Sequence, residues 1–188
     1  MSLIKVDVSG AESALRQAEI SLRHLPSKLP LAVSRALNRA VSAGRTSATR
    51  EVRKEYTIKA GAVRDSMRIS MSNRRNLVGT IISKGRPRSF SQYRLSPNRD
   101  TTGGKQKQPR VAVKKGESLK PLGHFIYQGK VFARLGKSRL PLKHHVGPAV
   151  PSLLKNDNVK SAVQTAMSDT FAKRLDHEVN RILEGPKK

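Results

Sequence analysis

The sequence contains no cysteine and no tryptophan. Without cysteine there is no disulfide, no thiol nucleophile and no cysteine-ligated zinc. Aromatic residues make up 4% of the chain and hydrophobic residues 36%, below the usual globular share. A core must therefore be built mainly from Leu, Val, Ile and Ala, and it is thin for 188 residues. Extended parts that pack on neighbouring subunits are expected. No apolar run approaches the roughly 20 residues that span a bilayer. The first residues, MSLIKVDVSGAE, lack the apolar centre of a signal peptide. The expectation is a soluble protein made in the cytoplasm.

Catalytic patterns are missing as well. There is no HExxH, no CxxC, no GxxxxGK[ST] and no GxSxG. The five histidines are His24, His124, His144, His145 and His177. The only adjacent pair, His144 and His145, points to opposite sides of an extended segment and cannot face one metal. Carboxylates are scattered, with none of the clustering that metal-dependent cleavage requires. The chain reads as a non-enzyme with no catalytic residue, no metal and no cofactor.

Acidic residues are scarce, 13 against 38 Lys and Arg, which leaves a net charge of +25. Such a charge repels itself and favours a polyanion: nucleic acid, an anionic membrane or an acidic protein surface. More than half of it lies in one third of the chain. Lys84 to Lys143 holds 16 basic residues and only Asp100 and Glu117 as acids.

Along the chain, residues 3–8 alternate as a strand and 11–23 have helical spacing. From Leu31 to Tyr56 runs the longest helical pattern, with Val33, Leu37, Val41, Gly44, Ala48 and Val52 on one side. Its seam is rich in Ala and Gly, which lets another backbone approach, and Gly44 is expected at a tight contact or a bend. A short helix over 59–66 follows, with Thr57 as its N-cap. Residues 67–83 read as a β-hairpin. Residues 84–121 read as a long basic loop with one strand at Arg110 to Lys114. A second hairpin is expected at 124–135 around Gln128-Gly129. An irregular, rigid connection marked by Pro141, Gly147, Pro148 and Pro151 leads to a last helix from Val159 to Leu183, capped by Asp157 or Asn158. Its apolar line is expected through Val159, Val163, Ala166, Thr170, Leu175, Val179 and Ile182. The fold class is α+β: a small antiparallel sheet packed against a long helix in the N-terminal half and a C-terminal helix, with a long basic loop. A single domain over 1–188 is expected, with an N-terminal strand and helix in 1–30 and the basic loop as an insertion over 84–121.

Two groups of cations suit polyanion binding. Arg35, Arg39, Arg50 and Arg53 keep to one stripe of the long helix. Arg86, Arg88, Arg94, Arg99, Lys105, Lys107, Arg110, Lys114 and Lys115 make a second basic surface in the loop. The plain alternative is a solvated helix face and a flexible loop. Tyr56, Tyr93 and Tyr127 are too sparse for a base-stacking platform. Any nucleic-acid contact is therefore expected at the backbone, sensitive to salt and indifferent to sequence.

Two stretches then carry a resemblance. They are ALNRAVSAGRTSATREVRKEYTIKAGAVRDSM (36–67) and GHFIYQGKVFARLGKSRLPLKHHVGPAVPSLL (123–154). Their order, over about 30–183, resembles the minor tail protein Z family of long-tailed bacteriophages, also called tail completion proteins. The resemblance implies a structural virion protein at the head-proximal end of the tail, a neck or head–tail connector element. It implies a homo-oligomeric, hexameric ring around the DNA channel. The implied neighbours are tail terminator, tail tube or head-connector proteins, and the implied nucleic acid is genomic double-stranded DNA; no membrane is implied. On this reading Val33, Leu37, Val41, Val52, Phe125, Ile126, Phe132 and Leu135 build the core. Arg134, Lys137 and Arg139 bind an acidic neighbour or face DNA. Gly147, Pro148 and Pro151 fix the turn into the last helix. Two other readings fit the charge: a basic DNA-binding protein outside the virion, and an accessory that assists tail assembly and leaves.

Overall fold

A computed structural model describes residues 2–5, 12–97, 108–117, 120–121 and 125–185. A short helix, α4, spans Val150–Leu153, and the two long helices are α2, Leu29–Glu55, and α5, Asp157–Glu184. They run antiparallel along their whole lengths. Glu55 meets Asn156 at one end, Gly44 meets Met167 midway, and Arg35 meets Glu178 at the other end. The contact is a ladder of small residues against a ladder of large ones. Ala32, Ala36, Ala40, Gly44 and Ala48 recur every four residues of α2 and are buried. Val159, Val163, Met167, Phe171, Leu175 and Val179 recur every four residues of α5 and are buried. Ridges of this spacing interdigitate when one side is small. A Cβ at Gly44 would lie 2.5 Å from both Cγ and Sδ of Met167. The expected tight contact is therefore real, and it outweighs the roughly 1 kcal/mol that a mid-helix glycine costs against alanine.

Two clusters flank this pair. At one end α1 (Glu12–Ser21) lays Ala18, and Leu22 just after it, on Phe171, Leu175 and Val179. The second cluster joins Val41, Ala48 and Val52 of α2 to three small antiparallel sheets. Strands β1 (Ser2–Lys5), β2 (Met67–Ser70) and β3 (Thr80–Ser83) form the first, with β3 central. Strands β4 (Arg88–Ser89), β8 (Phe125–Tyr127), β9 (Lys130–Arg134) and β10 (Leu142–Gly147) form the second, in the order β4-β10-β9-β8. Strands β5 (Arg94–Ser96), β6 (Arg110–Ala112) and β7 (Lys120–Pro121) form the third. The β8–β9 turn has positive φ at both Gln128 and Gly129, 48° and 68°, the geometry a two-residue hairpin turn favours.

The α+β class, the two long helices and both hairpins stand as the sequence predicts. Several details differ. Residues 84–121 are no plain loop: β4 to β7 come from it, and Phe90, Tyr93, Leu95 and Val111 are buried. Few apolar residues suffice there because they join the cluster that holds Val52 of α2 and Val150 and Leu154. The connection at 141–147 is a strand, β10, paired with both β9 and β4. The short helix α3 is Ala60–Asp65, capped by the extended Lys59, and Thr57 does not cap it. The Thr57 hydroxyl instead donates to the Ala112 carbonyl and accepts from the Arg94 N–H. Asn156, one residue before the expected caps, caps α5 by accepting from the Asn158 N–H at 3.0 Å. Of the expected core, Phe125 and Phe132 are only partly buried and Leu135 is 63% exposed.

Gly147 lies under Tyr93. A Cβ there would meet the Tyr93 ring at 2.7 Å, and the Tyr93 hydroxyl donates to the Pro148 carbonyl at 2.7 Å. Burial pushes the phenol up to about 12; the Arg88 charge opposes the rise and Tyr56 adds to it. An unfolded tyrosine titrates near 10. Between those values the unfolded chain binds fewer protons than the folded one, so this group's stabilisation falls as pH rises. Tyr93→Phe is expected to cost about 1 kcal/mol at pH 8 through the lost hydrogen bond. The gap between variant and parent narrows from about pH 10 upward. Urea midpoints at pH 8 and pH 11 check this.

Candidate nucleic-acid interface

The site begins where α2 ends. Tyr56 leaves the helix in an extended conformation, and the next residues run beside β6. The Thr57 N–H donates to the Val113 carbonyl at 2.9 Å and the Lys115 N–H to the Glu55 carbonyl at 2.8 Å. The chain then reverses into α3, whose Arg64 carbonyl accepts from Arg45 Nη2 of α2 at 3.0 Å. α3 is thereby held against the last turns of α2, with Lys115 alongside.

Between them lies an open cleft of about 470 Å³. Arg50, Arg53 and Lys54 of α2 line one side, and Arg64 and Lys115 the other. The Thr46 and Thr49 hydroxyls complete the wall, each donating to the carbonyl one turn back and so leaving its oxygen free to accept. Among the described residues no carboxylate lines the cleft. The adjacent Glu51 is held by Lys54 Nζ at 2.8 Å and Arg50 Nε at 3.1 Å. The Lys54 hydrogen bond keeps its carboxyl below the ordinary value, against the raising effect of burial and with help from Arg50. Glu51 thus pairs with two of the five cations. The Arg50 and Lys54 side chains are 68% and 63% exposed, so the charges are open to a ligand.

The structure brings together three predicted cations, Arg50, Arg53 and Lys115. It adds Lys54 and Arg64, which the sequence reading did not single out. Lys54 was visible as the i+4 partner of Arg50. Arg64 was not, because the extended Tyr56–Lys59 segment breaks the helical phase. Arg39 is exposed on the same stripe of α2. Arg35 lies farther along that stripe and is paired with Glu178 at 3.2 Å.

The other predicted cations are dispersed. Arg86 and Arg110 are exposed, and Lys114 is exposed with its backbone bridged to Tyr56. Arg88 is half-buried, with its Nε enclosed beside the Phe90 and Tyr93 segment. Arg134 stands over the Phe125 ring, 5.9 Å from its centroid. Lys137 and Arg139 are exposed in the turn after β9. Lys105 and Lys107, like Arg99, lie outside the described residues. Among the described residues no group of three or more His, Asp or Glu is placed to hold a metal ion, and no helix is long and apolar enough to cross a membrane.

The sequence reading also passed over Asn38, within ALNRA. Its side chain grips the backbone just beyond β2. The Asn38 Nδ2 donates to the Ser72 carbonyl at 3.1 Å, and its Oδ1 accepts from the Ser72 N–H at 2.8 Å. The Ser72 hydroxyl, also buried, donates to the Ser34 carbonyl at 3.0 Å.

A family model described as prophage minor tail protein Z matches residues 8–185. Neither a curated protein nor a solved structure matches the chain.

Proposed function

The chain belongs to the prophage minor tail protein Z family, a phage tail component, and on that premise we propose that it completes the head-proximal end of the tail as a ring around the DNA channel. In this role it is structural, not catalytic. It meets tail or head-connector proteins on its outside and the backbone of double-stranded DNA in the channel. The basic cleft carries this reading. Five cations from two helices and the segment after β6 surround a space that, among the described residues, no carboxylate lines. Phosphate contact needs charge and reach alone, and it suits a lumen through which any sequence passes. The hexameric ring follows from the resemblance and is tested separately.

Two measurements test the reading. Mass spectrometry of density-purified particles, calibrated against the tail-tube protein, should find the chain at the copy number of one ring. Absence from particles would reject the structural role and favour an assembly accessory. In solution, Arg50→Gln, Arg53→Gln and Arg64→Gln combined should make the salt dependence of duplex binding shallower by about three log units of affinity per log unit of salt. The loss should be the same for unrelated duplex sequences. Fluorescence anisotropy across a salt series reads it, and an unchanged slope would remove the cleft from the DNA path.

A further inference from the structure

The sheet of β8, β9 and β10 has two unlike faces. Ile126, Val131 and Gly147 point inward and are buried. The outer face carries a row of rings across the strands. Phe125 stands opposite Phe132, and Phe132 opposite His144. The two phenyl centroids are 6.1 Å apart, and the Phe132 and His144 centroids 5.4 Å apart. Arg134 covers the Phe125 end of the row.

Apolar groups border this row without being buried. Tyr127 and Val146 lie on the same face and are exposed. In the turn beyond β9, Leu135 and Leu140 are 63% and 67% exposed. The same surface is basic throughout. Lys130, Arg134, Lys137 and Arg139 belong to it, and the sequence has no carboxylate between Glu117 and Asp157. Among the described residues the ion pairs join cations of α2 and α5 to Glu51 and Glu178, and none involves Lys130, Arg134, Lys137 or Arg139. Aromatic rings, aliphatic side chains and arginine without matching acids are the composition of a contact surface, not of a solvated one.

We propose that the outer face of β8–β10, with the turn at 135–141, docks an acidic protein surface in which carboxylates surround an apolar side chain. The carboxylates meet Arg134, Lys137 and Arg139; the apolar side chain packs on Phe132 and Leu140. Charge complementarity selects this occupant. Duplex DNA would use the cations but set phosphates against Leu135, Leu140 and Val146, with no gain from desolvating them. Unpaired bases find the rings already packed against one another, against His144 and under Arg134. A second copy of the chain brings a net +25, which opposes its approach to this basic face. The surface and its partner are distinct from the DNA cleft, and neither depends on it.

The test is site-directed crosslinking with the full chain in assembled tails. p-Benzoylphenylalanine replaces Tyr127 or Leu140, and Ile20, exposed on α1, serves as the control position. Positions 127 and 140 should both crosslink to one carboxylate-rich segment of a different protein, and position 20 should not. Arg134→Glu with Arg139→Glu should lower the yield at position 140 by about 10-fold or more, since like charges then face each other. Crosslinks to another copy of this chain, crosslinks to DNA, or none from a chain present in the tails would each overturn the proposal. If the chain is absent from tails, the virion reading fails instead. The same crosslinks are then read in producing cells, with the same outcomes deciding.

Discussion

Phe171→Ala is expected to cost about 3–5 kcal/mol of stability. Phe171 is fully buried and is the one aromatic residue of the helical cluster. It shares a cluster with Ala18 and Leu22 of α1 and with Ala32, Ala36 and Ala40 of α2, and lines a cleft with Leu15, Val33 and Leu37. Methyl groups have no reach, so the alanines cannot swing into the vacated space. α2 cannot move closer either, because the Gly44–Met167 contact already sets the helix spacing. The leucines fill part of the space at most, and the cavity that remains is the costly term. Urea unfolding should show a lowered midpoint with an unchanged slope. A loss below about 1 kcal/mol would mean that α1 collapses into the gap and that the alanine ladder does not fix the spacing.

Asn38→Ala is expected to cost roughly 2–4 kcal/mol, although Asn38 contributes little apolar area. It strips the Ser72 N–H and C=O of their partners at once, and each buried polar group left alone costs roughly 1–3 kcal/mol. Ser72→Ala is the comparison. It removes a hydroxyl that bonds to Ser34 and Asn38 but leaves the backbone grip intact, so its cost should be about 1 kcal/mol. Equal losses in the two variants would show that the hydroxyl, not the backbone grip, holds β2 to α2.

These two residues also show where the sequence was and was not legible. The long helices were readable because apolar spacing persists over many turns: 31–56 was expected and Leu29–Glu55 found. The buried line of α5 was read one residue off in its middle, as Ala166 and Thr170 in place of Met167 and Phe171. A line stepping by four drifts about 40° per step around a helix. A straight face drawn from either end therefore misses its centre. Only the matching four-step ladder of α2, 32 to 48, shows which line is buried. The basic segment after residue 84 was read from composition, which records charge but not which few apolar residues meet a helix end. Arg50, Arg53 and Lys115 were legible as cations. Their meeting was not, because it depends on the reversal held by Thr57 and on Arg45 reaching the Arg64 carbonyl.

The paired helices have a mechanical consequence. α2 has 27 residues, a rod about 40 Å long, and α5 splints it from end to end. The cleft lies at one end, the first sheet beside the middle and α1 at the other. The pair is thus a lever with a stiff arm. A rotation of about 10° imposed at the cleft end would sweep the α1 end through about 7 Å, more than one helical turn. A small rotation at the cleft is therefore magnified at α1.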